Sequence, residues 1–313
     1  MNKKIYKYLL YLVTTIFFFV TIVKIDIKVF QHLLNLNIFT IFTLLMLQIL
    51  TIMVISHQWY ILIKVFNSNI NFLKVVELNL IGTFTESITP GVKSGGEGVK
   101  LILLKKNFNL QYNEGIAVII LQKTLSFLIF LSLFVFSIFN TKLKIPLNIN
   151  QTFLLITLGL GIIIGIYRFI PENLKRVISS FIKKVYQNLL LFKDKKNLLI
   201  YLIVNNLIVW LGFPLKLLII SKALNIQLNF LEVSTIIFIT YGVSMLPTTP
   251  GSIGTYEGIM TLLLKLSSVS TEKALVTAVI TRFFTFYLVV LGSGLYLFIK
   301  NFYYKFFKNS SNN

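Results

Sequence analysis

Cysteine is absent, which excludes disulfides and thiolate metal sites. Histidine occurs only at His32 and His57, and no cluster of carboxylates accompanies either, so no metal or cofactor is expected. Acidic residues are scarce, 10 against 30 Lys and Arg. A formal charge of +20 is compatible with nucleic acid, but these basic residues stand at the ends of apolar runs and not on a separate polar domain. Basic residues placed that way set membrane topology and meet anionic headgroups. No nucleophile–base pair and no Gly-rich phosphate loop ahead of a soluble helix stands out, so no catalytic residue is assigned.

What the chain does contain is apolar length. Of 313 residues, 56% are hydrophobic and 29 are Phe, and the mean hydropathy is +0.82. Those values lie well outside ordinary globular usage and define an all-α polytopic membrane protein. Apolar runs long enough to cross a bilayer fall at about 8–23, 38–63, 114–139, 152–167, 198–221 and 274–299. The first run lacks a small-residue cleavage site and is read as a retained span rather than a signal peptide.

Residues 82–105, GTFTESITPGVKSGGEGVKLILLK, return without a gap at 242–265 as GVSMLPTTPGSIGTYEGIMTLLLK. Gly82, Thr89, Pro90, Gly91, Glu97, Gly98 and Lys105 match Gly242, Thr249, Pro250, Gly251, Glu257, Gly258 and Lys265. The likeness extends to Asn71 and Asn229, and to Glu114 and Glu272. Proline lacks an amide and glycine permits left-handed backbone, so each copy can reverse at its Pro-Gly pair. Paired broken segments in corresponding halves are the sequence pointer to a transporter binding site.

The limb after the first break, 97–104, is about 12 Å of helix and cannot cross a core of about 30 Å. If both limbs of each copy enter and leave on one face, 18 of the 30 Lys and Arg fall inside and 7 outside. A fully crossing first limb instead puts the eight basic residues of 168–196 outside. The re-entrant arrangement is therefore expected. It turns the two halves into an inverted repeat, with one hairpin entering from the cytoplasm and the other from outside.

The expected organisation is an N-terminal span and outer loop (1–37); half 1 (38–145) with its hairpin at 72–106; a linking span and basic cytoplasmic segment (146–197); half 2 (198–300) with its hairpin at 230–266; and a basic, polar tail (301–313). Within the linking segment, Val177, Phe181, Val185 and Leu189 follow helical spacing, with Lys183 and Lys184 on the other side. That pattern describes an amphipathic helix lying in the headgroup region, or a soluble loop helix packed on the protein.

Candidate substrate-binding residues are those of the two breaks and their charged neighbours: Pro90, Gly91, Gly95, Gly96, Glu97 and Lys123 in half 1, and Pro250, Gly251, Gly254, Glu257 and Arg282 in half 2. The half-helices after each break present free amides suited to a phosphate. Glu97 and Glu257 are carboxylates at membrane depth, expensive unless paired, or else caps of their own half-helices. Lys123 and Arg282 lie inside apolar spans, where they can pair with those carboxylates, bridge the repeats or hold a lipid phosphate. Gln58, Gln122, Asn205 and Asn206 either line the same cavity or bond between helices. Glu86 has no counterpart, since Leu246 stands there.

TPGVKSGGEGVKLILL and LPTTPGSIGTYEGIMTLLL resemble the paired signatures of the lysylphosphatidylglycerol synthase transmembrane-region family, over roughly 38–299. The shared pattern is Pro-Gly, a short Gly-rich stretch, a Glu, an apolar run and a basic residue in the next span, here Lys123 and Arg282. Lys93 and Ser94 depart from the Gly-rich stretch of the first signature. The resemblance implies a flippase-like domain moving lipid between leaflets. Full-length members also carry a soluble domain that transfers lysine from charged tRNA to phosphatidylglycerol. This chain ends at Asn313 without one, so the transfer chemistry is expected to be absent. The expectation is a multi-pass plasma-membrane transporter of a phosphate-containing lipid (a phospholipid, an aminoacyl-phospholipid or a polyprenyl phosphate), with both termini cytoplasmic and anionic lipids as partners. The alternatives are a membrane component of lipid lysylation or a scaffold for a separate lipid-modifying transferase.

Overall fold

A computed structural model describes residues 36–89, 94–141, 143, 172–246 and 249–303. The expected first span, the span at 152–167, the Pro90-Gly91 break and the end of the tail lie outside the described residues. Within them the chain is helical, with no strand. The helices are α1 (Ile38–Lys64), α2 (Phe72–Ile88), α3 (Ser94–Phe108), α4 (Tyr112–Asn140), α5 (Glu172–Leu190), α6 (Lys196–Ala223), α7 (Phe230–Ser244), α8 (Thr255–Leu266), α9 (Thr271–Arg282) and α10 (Leu288–Tyr303). A short 3-10 turn, Pro250–Ser252, sits between α7 and α8.

Among the described residues, four stretches are long and apolar enough to cross a membrane: α1, α4, α6 and the run Thr271–Lys300 that joins α9 to α10. Their burial is inside-out relative to a soluble protein. On α1, Phe39, Phe42, Met46, Ile49 and Met53 face outward while Gln48, Thr51, Ser56 and Gln58 are buried. Lipid can solvate the first set but not the second, so the polar residues turn to the interior. The protein is a polytopic membrane protein.

Between the long helices lie shorter pairs. α2 packs on α3, and α7 packs on α8. Asn71 and Asn229 start the first helix of each pair in the same way, their side chains accepting from the amides of Leu73 and Glu232. After each pair the chain turns through a left-handed residue, Asn109 (φ 56) and Ser268 (φ 62), before the next long helix. The returning limbs are longer than the eight residues the apolar pattern predicts. α3 has 15 residues and α8 has 12, because each helix continues through Lys105 or Lys265 after its apolar face ends. At 1.5 Å per residue they still measure only about 22 and 18 Å, short of a bilayer core of about 30 Å.

The packing pairs corresponding elements. α1 and α6 lie side by side and run oppositely: His57 meets Tyr201 near one end, and Gln48 and Thr51 meet Lys216 further along. α2 packs on α10 through Phe84 against Gly294 and Glu77 against Lys300. Its counterpart α7 packs on α4 through Thr235 against Ser137 and Phe238 against Phe130. The hairpin helix of each half is thus held by the last span of the other half.

The last span is not one uniform α-helix, as its apolar pattern predicts. Phe283–Tyr287 forms a π-helical segment directly after Arg282. Such wide turns rotate the side chains that follow them and recur at functional sites. α5 rests on α4 with Val185 buried, yet leaves Ile182, Tyr186 and Leu190 exposed. An uncovered apolar row on a helix whose other side carries Lys183 and Lys184 suits the headgroup region.

Candidate functional site

The turn of the second helix pair packs against the end of α2 in the first. Gly251 sits at the turn of the second pair with φ 58, where an added Cβ would lie 2.9 Å from Phe286 and 3.3 Å from the Ser87 carbonyl at the end of α2. Glycine adopts that conformation without strain and leaves the gap unfilled. Beside the contact lies a cavity of about 280 Å³, lined by residues from both halves, among them Glu86, Lys100, Lys123, Gly251, Ser252 and Arg282.

In half 1 the carboxylate of Glu97, in the first turn of α3, lies 2.8 Å from Lys123 on α4 and 3.3 Å from Lys100 one turn along α3. Lys100 reaches this point by laying its stem across Gly82, where a Cβ would be 2.3 Å from Lys100 Cε, and its ammonium sits over the Trp59 ring at 4.6 Å. Lys123 keeps 45% of its side chain accessible, so its ammonium reaches cavity and carboxylate together. The other oxygen of Glu97 is buried without a partner.

In half 2 the matched pair is Glu257 and Arg282. Glu257 accepts from the Gly254 amide at 2.8 Å, capping α8, and from the Tyr287 hydroxyl at 2.9 Å. Arg282 Nε is 4.0 Å from the same carboxylate. Its guanidinium lies between the Tyr256 and Phe286 rings at 4.3 and 4.1 Å and donates to the Gly251 carbonyl. Stacking on two rings suits the delocalised guanidinium and would suit an ammonium less well. Both matched carboxylates therefore pair within their own half, and Glu257 is at once a helix cap and a counter-ion.

Of the other expected site residues, Pro250 begins the 3-10 turn and Gly254 is the N-cap of α8 with φ 83. Gly95 and Gly96 stand where α2 and α3 press together. A Cβ at Gly96 would lie 2.6 Å from the Gly82 carbonyl, and one at Gly95 2.4 Å from Thr89 Oγ1. Gln58, Gln122 and Asn206 line the cavity. Asn205 does not; its amide donates to the Tyr201 carbonyl on its own helix.

Sequence reasoning missed several participants. Lys216 is fully buried and donates to Gln48 Oε1 at 2.6 Å and Thr51 Oγ1 at 2.9 Å, with no carboxylate in salt-bridge range among the described residues. Asn79 on α2 and the aromatic residues Trp210, Phe213 and Tyr241 also face the cavity. The signal for Lys216 is in the register: it occupies on α6 the place that Gln58 occupies on α1, as Asn206 does that of Gln48. Phe213 and Tyr241 carry no such mark, because Phe and Tyr are common all along this chain.

Two short helix pairs beside a cavity lined by charged residues, packed among long apolar helices, define a polytopic membrane protein that carries charge in its interior. Comparison with known proteins makes that class specific. Residues 6–293 match the family described as the lysylphosphatidylglycerol synthase TM region, and the chain belongs to it. It is similar to UPF0104 membrane proteins of three archaea. The protein of Pyrococcus horikoshii is 26% identical over 284 residues, covering 80% of this chain and 84% of the relative. That of Methanocaldococcus jannaschii is 24% identical over 298 residues, 87% and 88% of the two chains. That of Methanothermobacter thermautotrophicus is 20% identical over 270 residues, 78% and 80%. No solved structure matches the chain significantly.

Proposed function

We propose that this protein moves a phosphate-containing lipid between the leaflets of the cell membrane. The two halves form an inverted repeat, with one helix pair entering from each side and the lipid headgroup passing through the cavity where they meet. The observation that carries the reading is the matched pair of ion pairs, Glu97 with Lys123 and Glu257 with Arg282, one from each half, whose cations face a single cavity at the hairpin tips. The opposed directions of α1 and α6, and the family's name for a lipid-modifying synthase, support the same conclusion.

In this mechanism the carboxylates hold the cations ready inside the membrane, where an uncompensated charge would be too costly to keep. A phosphate entering the cavity competes with Glu97 for Lys123 and takes a second contact from Arg282, whose planar guanidinium offers two parallel donors. The acyl or prenyl chains stay in the bilayer. Because the first helix of each pair is held against the other half, rocking one half against the other opens the cavity first to one leaflet and then to the other. Anionic lipids bound by the basic inner loops keep both termini on the cytoplasmic side.

The test is headgroup exposure in reconstituted vesicles, followed with short-chain fluorescent phospholipids and an external quencher. Wild-type protein is expected to equilibrate the leaflets. Arg282→Ala and Glu257→Ala are each expected to slow equilibration at least tenfold. Wild-type rates in both variants would remove these residues from the lipid path.

A further inference from the structure

The cavity's two walls differ in chemistry. On the half 1 side, Gln58, Asn79 and Gln122 come from α1, α2 and α4. Gln58 is 1% exposed, and neither its Oε1 nor its Nε2 has a hydrogen-bond partner; Asn79 Oδ1 is likewise buried and unpartnered. Buried polar atoms in native structures nearly always find partners, an ordered water or a ligand, and these two side chains line the cavity that can supply one. A carboxamide offers a donor and an acceptor side by side, which matches a hydroxyl group in both roles.

On the half 2 side an aromatic patch stands beside the polar side chains of Asn206, Ser244 and Thr285. Trp210, Phe213 and Tyr241 pack on one another, with ring centroids 4.8–5.9 Å apart. The indole N–H of Trp210 is already engaged by Ser126, which leaves its ring as an apolar surface. The repeat does not require this difference: the places matched to Gln58 and Asn79 hold Lys216 and Ile239.

A ligand satisfying both walls and the two cations needs hydroxyls, an apolar C–H face and a phosphate. We infer that the cavity selects a phosphate-linked sugar. This rests on the lipid-translocation reading only for the source of that group, a glycosyl-phosphoryl lipid rather than a free sugar phosphate. Beyond the phosphate, which the two cations take, an ethanolamine group brings donors only and leaves Gln58 Nε2 unsatisfied; a choline group satisfies neither carboxamide atom. A volume of about 280 Å³ lies near the lower end of small-ligand cavities, suited to one sugar ring and not to an oligosaccharide.

Two measurements test this. In vesicles, the wild-type protein is given fluorescent short-chain lipids differing only in headgroup, hexosyl-phosphoryl or phosphoethanolamine. In detergent, equilibrium binding of hexose 1-phosphate is compared with that of inorganic phosphate. The expected result is a preference of roughly tenfold for the sugar in each, the discrimination that one or two buried hydrogen bonds give. The double variant Gln58→Leu, Asn79→Leu is expected to narrow both ratios towards one. Equal movement of the two lipids by wild-type protein would overturn the sugar assignment and leave lipid translocation standing. Tighter binding of hexose 1-phosphate without movement of either lipid would keep the sugar site and overturn its lipid source. Absence of any sugar preference in binding, or an unchanged ratio in the double variant, would overturn the assignment. Should that variant fail to fold, the wild-type ratios decide alone.

Discussion

Glu97 has two cations on one carboxylate, the buried Lys100 at 3.3 Å and the more accessible Lys123 at 2.8 Å. Removing the carboxylate charge leaves two ammonium groups facing each other, and a broken buried pair typically costs about 3 kcal/mol or more. Glu97→Gln should therefore lower the thermal midpoint in detergent by several degrees, and adding Lys100→Gln should restore part of the loss. An unchanged midpoint for Glu97→Gln would mean that the carboxylate does not hold the cluster together. The sequence made Glu97, Glu257, Lys123 and Arg282 visible, because charges are rare in apolar runs and these recur at matched places. It left Asn79, Trp210 and Tyr241 hidden, since their orientation depends on how α2, α6 and α7 pack. The stacking of Arg282 between Tyr256 and Phe286 depends on the π-helical turn, which FFTFY does not announce.

At the scale of the element, the apolar pattern located the long helices to within a few residues and the hairpins by their glycines and prolines. It underestimated α3 and α8, because a helix that leaves the bilayer core continues as long as its polar end is solvated. The glycines of these hairpins divide by what surrounds them. Gly251 is left-handed and hemmed in by Phe286 and the Ser87 carbonyl, whereas Gly258 on α8 has nothing within 4 Å of an added Cβ. Gly251→Ala should destabilise by about 1–3 kcal/mol, through backbone strain and displacement of the hairpin tip. Gly258→Ala should be neutral or stabilising by up to about 1 kcal/mol, because alanine favours helix. Thermal unfolding of the two variants side by side measures the contrast. Equal behaviour would contradict the packing of Gly251 against Phe286 and the end of α2.

For the whole molecule, the claim on which the transport reading depends is that the two helix pairs dip into the membrane from opposite sides. The antiparallel packing of α1 with α6, and the exchange of partners between α2 with α10 and α7 with α4, fit two halves related by a two-fold axis in the membrane plane. A two-fold axis along the membrane normal would have made α1 and α6 run the same way. The chain's lack of cysteine makes the sidedness directly measurable, since a single introduced thiol is the only one to label. Lys106 and Lys265 are exposed near the outer ends of α3 and α8, beyond the apolar part of each returning limb. Lys106→Cys and Lys265→Cys, treated in intact cells with a membrane-impermeant maleimide, should label on opposite sides: Lys265→Cys directly, and Lys106→Cys only after the membrane is permeabilised. Labelling of both thiols from the same side would contradict the inverted arrangement.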